Sequence, residues 1–159
     1  MVKAVAVSGN TIDTPYQGAF VGGTHRFALR VYYEDTDVAG IVYYANYLKY
    51  MERARSDMLR AAGIDQRAAI EQREGSYAVA DVTIKYRTPA KLEDDLVVVS
   101  AIRHLRAASV VIHQRVMRGD QLLTDAMVTA AFLGMDGRPK RQPRAWMDEF
   151  MRLKGETGE

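Results

Sequence analysis

The chain has 159 residues and a mass of 17.8 kDa, with 48% hydrophobic and 26% charged positions. That suits one domain with a buried core and excludes wholesale disorder. Its 22 Lys and Arg against 20 Asp and Glu leave a net charge of +2, which demands no polyanionic partner. With no cysteine, disulfides, thiolate metal sites and cysteine nucleophiles are gone. His25, His104 and His113 are too scattered for a histidine metal site, so neither metal nor cofactor is expected. No apolar run approaches the roughly 20 residues of a membrane span. The opening MVKAVAVSGN is too short and weakly marked for a secretory signal, so the expectation is a soluble, cytoplasmic protein.

Residues 1–23, rich in Gly, Ala, Val and Thr, with Pro15 and Gly22-Gly23, predict a poorly ordered extension. A single domain is expected over 24–153, with a flexible tail at 154–159. In HRFALRVYY, Phe27, Leu29, Val31 and Tyr33 alternate as in a strand. The polar loop EDTDVAG follows, ending at Gly40. From Ile41 to Ala62 the period changes. Tyr43, Tyr47, Tyr50, Met51, Ala54, Met58 and Ala61 recur at steps of three and four, predicting one long helix stopped by Gly63. A short helical turn at 66–72 leads to a strand at 77–86, with Ala78, Ala80, Val82, Ile84 and Tyr86 on one face. Strands at 96–106, 109–118 and 122–133 follow, the last two joined by Gly119-Asp120. A final helix is expected near 144–153. The order predicts an α+β fold, an antiparallel sheet with one long helix packed on a face.

With cysteine absent and histidine scarce, carboxylates are the candidates for chemistry. Glu34, Asp35 and Asp37 lie together just upstream of the long helix. One reading makes Asp37 a helix cap or the acceptor of an Asx-turn. The other reading is catalytic. Free N–H groups at the helix start polarise a carbonyl, Gly40 allows close approach to the backbone, and the carboxylate attacks that carbonyl or activates water.

The run RVYYEDTDVAGIVYYANYLKYMERARSDMLRAAGI resembles the signature of hotdog-fold acyl-CoA thioesterases. It is similar to the 4-hydroxybenzoyl-CoA type and more closely to the type associated with the Tol-Pal envelope system. A looser likeness runs to about residue 150 and leaves out 1–23. The resemblance implies a hotdog fold, an antiparallel sheet wrapped around one long central helix, and hydrolysis of an acyl-CoA to free acid and thiol. It implies Asp37 as the catalytic carboxylate, nucleophile or general base, and the Tyr44 backbone N–H as oxyanion donor. Gly40 and Asn46 match family positions near the turn and the helix start, which implies substrate-binding roles, Gly40 for approach to the backbone and Asn46 rather as helix-start structure than in catalysis. Arg106 matches the first of three basic residues that contact the nucleotide. The next two are Ala107 and Ala108, so an acyl-carrier-protein thioester is conceivable as substrate. The resemblance also implies a homo-oligomer, dimer or tetramer, whose site lies between chains. A non-catalytic module binding an acyl group or carrier protein is the alternative, and a hydratase ranks behind it. Neither nucleic acid nor a membrane span is expected.

Overall fold

A computed structural model describes residues 12–155. Its strands are β1 (Ala19–Val21), β2 (Thr24–Arg30), β3 (Ser76–Tyr86), β4 (Asp95–Leu105), β5 (Ser109–Arg118) and β6 (Gln121–Leu133). They pair antiparallel throughout, in the order β1-β2-β4-β5-β6-β3. The helices are α1 (Asn46–Ala61), α2 (Gln66–Glu71) and α3 (Arg144–Gly155). No helix among the described residues is long and apolar enough to cross a membrane.

Period-2 alternation builds the core. The register sets Val98 of β4 beside Val116 of β5, and Ile112 of β5 beside Val128 of β6, all buried on the face turned to α1. From the helix, Tyr47, Tyr50, Met51, Ala54 and Met58 close that layer. Full burial of a methionine such as Met51 or Met58 stabilises by about 1.5–3 kcal/mol. Tyr43 and Ala61, expected on the same stripe, are exposed.

α1 is shorter than its periodicity suggests and begins only at Asn46. Ile41 and Val42 form β-bridges to Lys91 and Thr36, and the Val42 N–H donates to the Ala90 carbonyl. Long-range pairing overrides a helical pattern in these two β-branched residues. β2 likewise ends at Arg30, and Tyr33–Asp35 form one 3₁₀ turn.

The alternation in β3 slips at a bulge. Val79 faces Ala130 and Asp81 faces Thr129, so Ala80 is the extra residue. Tyr77 and Val79 therefore share the inner face with Val82, Ile84 and Tyr86, whereas Ala78 turns outward.

Residues 1–11 and 156–159 lie outside the described residues. The remainder of the expected extension is not loose. Gly22 and Gly23, at φ +58° and +88°, turn the chain so that Ala19–Val21 pair with Thr24–Arg26. At the other end, α3 continues through Lys154 and Gly155.

One carboxylate ties the residue before β1 to α1. Asp57, 4% exposed, accepts the Gly18 N–H at 2.9 Å and stands 2.7 Å from His25 Nε2. Arg60 lies 3.6 Å from its other oxygen. A Cβ on Gly18 would fall 2.2 Å from the Arg26 carbonyl oxygen, so only glycine permits this approach. His25 is fully buried, and loss of hydration lowers its pKa from 6.5 despite the opposing pull of Asp57. A base depressed on folding leaves stability complete above its unfolded pKa, and stability is lost as pH falls below that value. Thermal melts on either side of pH 6.5 should therefore show a lower midpoint on the acid side, and His25→Gln should flatten the difference. An unchanged slope in the variant would assign the pH dependence to other groups.

Candidate active site

Between β2 and α1 the chain folds back on itself. Thr36 bridges Val42, the Asp37 N–H donates to the Ile41 carbonyl at 2.9 Å, and the Gly40 N–H donates to the Asp37 carbonyl at 3.0 Å. Gly40 has φ +82°, and no atom lies within 4 Å of where a Cβ would be, so its backbone is open to an approaching group.

The three acids of this loop differ. Glu34 is exposed. Asp35 is structural: its side chain accepts the Tyr32 N–H at 2.8 Å, and its carbonyl accepts the Tyr43 N–H at 2.9 Å and Asn46 Nδ2 at 2.8 Å. Asn46 thus straps the acidic loop to the first residue of α1. Asp37 Oδ1 accepts the Ala39 N–H at 2.8 Å, the Asx-turn geometry, with the Ile41 N–H at 3.4 Å. Its Oδ2 has no hydrogen-bond partner among the described residues. Asp37 does not cap α1, whose N-cap position is Ala45.

The Tyr44 N–H also has no acceptor among the described residues. Its peptide is nevertheless fixed. The Tyr44 carbonyl accepts the Tyr86 hydroxyl at 3.0 Å, and the Asn46 N–H closes a turn onto the Tyr43 carbonyl at 2.8 Å. A rigid, unused N–H beside a cleft is the element an oxyanion hole needs.

Two cavities flank this loop. One of about 470 Å³ is lined by Tyr33, Thr36, Asp37, Val38, Gly40 and Leu92. The other, about 250 Å³, is bounded by Val42, Tyr44, Tyr47 and Tyr86. A third of about 240 Å³ lies between α1 and the inner faces of β3, β5 and β6, lined by residues that include Arg55, Met58, Tyr77, Val79 and Ile112.

Asp37, Gly40, Tyr44 and Asn46 thus share one loop and its junction with α1. Arg106 does not join them. It lies exposed in the β4–β5 turn, its N–H on the Ser109 carbonyl and its own carbonyl on Gln142 Nε2. Eleven residues of β4 separate it from the Asp37 end of the sheet, about 35 Å at the usual strand rise. Two arginines of the strands flanking this turn, Arg103 of β4 and Arg118 of β5, are engaged. Arg118 pairs with Asp94 at 2.7 Å, and Arg103 contacts His113, which bonds Asp125. No group of His and acids able to hold a metal occurs among the described residues.

The sheet wrapped on one long helix, entered by an acid-bearing loop with an unused N–H, is a hotdog fold. A probable thioesterase from Bartonella henselae matches with a TM-score of 0.72 and 32% identity, over 76% of this chain and 99% of that one. 4-Hydroxybenzoyl-CoA thioesterase matches with a TM-score of 0.73 at 22% identity, over 79% and 97% of the two chains, a likeness of fold. The model of the Thioesterase superfamily matches residues 39–124, and the chain belongs to that superfamily: it is a thioester hydrolase. The Haemophilus influenzae acyl-CoA thioesterase YbgC is 36% identical over 129 residues, 80% of this chain and 95% of that one.

Sequence reasoning missed Arg55, which sits on the buried stripe of α1 one turn after Met51, and the His25–Asp57 pair. The signal for Arg55 was a cation at a core position of the helical repeat. His25 gave no signal beyond a histidine in a strand.

Proposed function

We propose that this chain hydrolyses acyl-CoA thioesters, with Asp37 as the catalytic carboxylate and the Tyr44 N–H as oxyanion donor. One observation carries the reading: Asp37 Oδ2 and the Tyr44 N–H, on one rigid loop, are both unused by the protein. The similarity to YbgC acyl-CoA thioesterases over nearly their whole length supports CoA as the carrier. Asp37 either attacks the thioester carbonyl, giving a mixed anhydride that water cleaves, or draws a proton from the attacking water. Each route consumes one water and yields the acid and the free thiol. The developing oxyanion is stabilised by Tyr44.

The site is shared by two copies of the chain. β3 is an edge strand of 11 residues, and Val79 (49% exposed), Val82 (37%) and Tyr86 (44%) lie uncovered on its inner face. Two-fold antiparallel pairing of β3 with itself satisfies this edge and sets the Tyr77 end of one copy against the Tyr86 end of the other. Arg106 and the cavity at Val79 then approach the partner's catalytic loop, resolving their separation within one chain. The resemblance extends this pair to a tetramer with a Tol-Pal association.

Thiol release from short, long and aromatic acyl-CoAs, with acyl-carrier-protein thioesters as a second panel, tests the reading. Release from no thioester overturns it, and release from carrier-protein esters alone changes the carrier. The oxyanion role belongs to the backbone, so Tyr44→Phe should keep kcat within about threefold, whereas Tyr44→Pro, which deletes the N–H, should lower it by roughly 10²–10³. A loss of similar size in Tyr44→Phe would assign the role to the phenol instead.

A further inference from the structure

The 240 Å³ cavity between α1 and the inner faces of β3, β5 and β6 is mostly apolar, with Met58, Leu59, Val110 and Ile112 in its wall. Its volume equals that of about eight waters at roughly 30 Å³ each, room for a short acyl chain or a single ring.

A positive charge is built into this wall. Arg55 Nη1 donates to Gln114 Oε1 at 2.9 Å. Gln114 is fully buried, and its Nε2 donates to the Met51 carbonyl and to Ser100 Oγ, both at 3.0 Å. Those two acceptors fix the amide orientation and oblige Oε1 to face a donor, so the guanidinium is aimed by a buried network. Arginine has five N–H donors, and Gln114 takes one. No carboxylate among the described residues forms an ion pair with Arg55. Burial pulls its pKa below the ordinary value, a cost of desolvation that Glu52, one turn earlier, offsets only in part and through space. Glu52 also lines the cavity, but it is exposed and its charge is screened by water. Arg55 is thus a half-buried, oriented cation with a neutral partner, facing a short apolar cavity.

We propose that this cavity receives the acyl group and that Arg55 binds a carboxylate at its far end, making monothioesters of short dicarboxylic acids the preferred substrates. The proposal rests on the two-copy site above, in which the partner's loop reaches the cavity beside Tyr77 and Val79. The guanidinium fork matches a carboxylate in two parallel hydrogen bonds. A methyl-ended chain of equal length leaves the desolvated fork unpaired, and such a mismatch discriminates more strongly than a change of chain length.

The test compares two non-hydrolysable thioether analogues of CoA with six-carbon chains, one ending in carboxylate and one in methyl, by calorimetric titration. Turnover of adipyl-CoA and hexanoyl-CoA is followed alongside. The wild type should bind the carboxylate analogue at least about tenfold more tightly, and Arg55→Met should erase that preference. Arg55→Lys, which keeps the charge without the fork, should fall between. Equal binding of the two analogues by the wild type overturns the proposal, as does a preference that survives in Arg55→Met. The wild-type ratio decides alone should that variant fail to fold. Preference in binding with no thioester cleaved leaves the anion pocket standing and defeats the hydrolytic reading. Cleavage with no preference defeats the anion pocket alone.

Discussion

Asp37→Asn should lose thioester hydrolysis by roughly 10²–10⁴ in kcat while keeping fold and assembly. The substitution changes one atom of the side chain and leaves an oxygen to accept the Ala39 N–H, so the turn through Gly40 is retained. What disappears is the negative charge on Oδ2, and with it both available routes, because an amide neither attacks a thioester nor takes a proton from water. Thiol release under saturating substrate, with size and circular dichroism compared in parallel, separates chemistry from folding. Activity within tenfold of wild type would mean that another group activates the water, with Asp37 holding the loop alone.

Val82→Asp should break the assembly and the activity together. Val82 lies on the inner face of β3, a third exposed in one chain, so a carboxylate there remains hydrated in a single copy. When two β3 edges pair, that carboxylate leaves water without a partner. Light scattering should then report single chains of 17.8 kDa. Hydrolysis should fall by about a hundredfold or more, because the proposed site draws its binding and catalytic groups from two copies and separation would cost their fixed alignment. A variant that is single-chain and fully active would place the whole site within one copy. An assembly that survives Val82→Asp would move the contact to another surface.

The sheet was legible because β6 alternates over most of its length, so that a one-residue slip would turn its buried row to water. It was legible also because β4 and β5 are runs of β-branched residues. Even so, β4 is buried without a break from Val98 to Ile102, and its pairing with β5 shifts between Ile102 and His104. The end of α1 was legible from Gly63, whose φ of +82° is the left-handed stop that glycine supplies. Its beginning was not. Ile41 and Val42 fit a helical stripe as well as a bridge, and only their distant partners, Lys91 among them, decide between the two. Ala80 shows the same limit within a strand, because an inserted residue looks like any other until its neighbours are paired. Asp37, Gly40, Tyr44 and Asn46 could be grouped since they occupy one continuous loop and helix start. Arg55 and Gln114 are 59 positions apart, and His25 and Asp57 are 32 apart. No local period connects such partners. The folding of the sheet over the helix creates them.

The two margins of the sheet are unlike. β1 offers three residues, and β3 offers 11. A ribbon of copies joined margin to margin would need two that can be extended, and a three-residue strand is too short a template. Growth by strand addition is therefore confined to one side, where the proposed two-fold pairing would use up the long margin of both molecules at once. The short hairpin at Gly22-Gly23 thus acts as a terminator, and the β3 pairing proposed above would close the sheet as a finite pair where two long margins would risk a fibre.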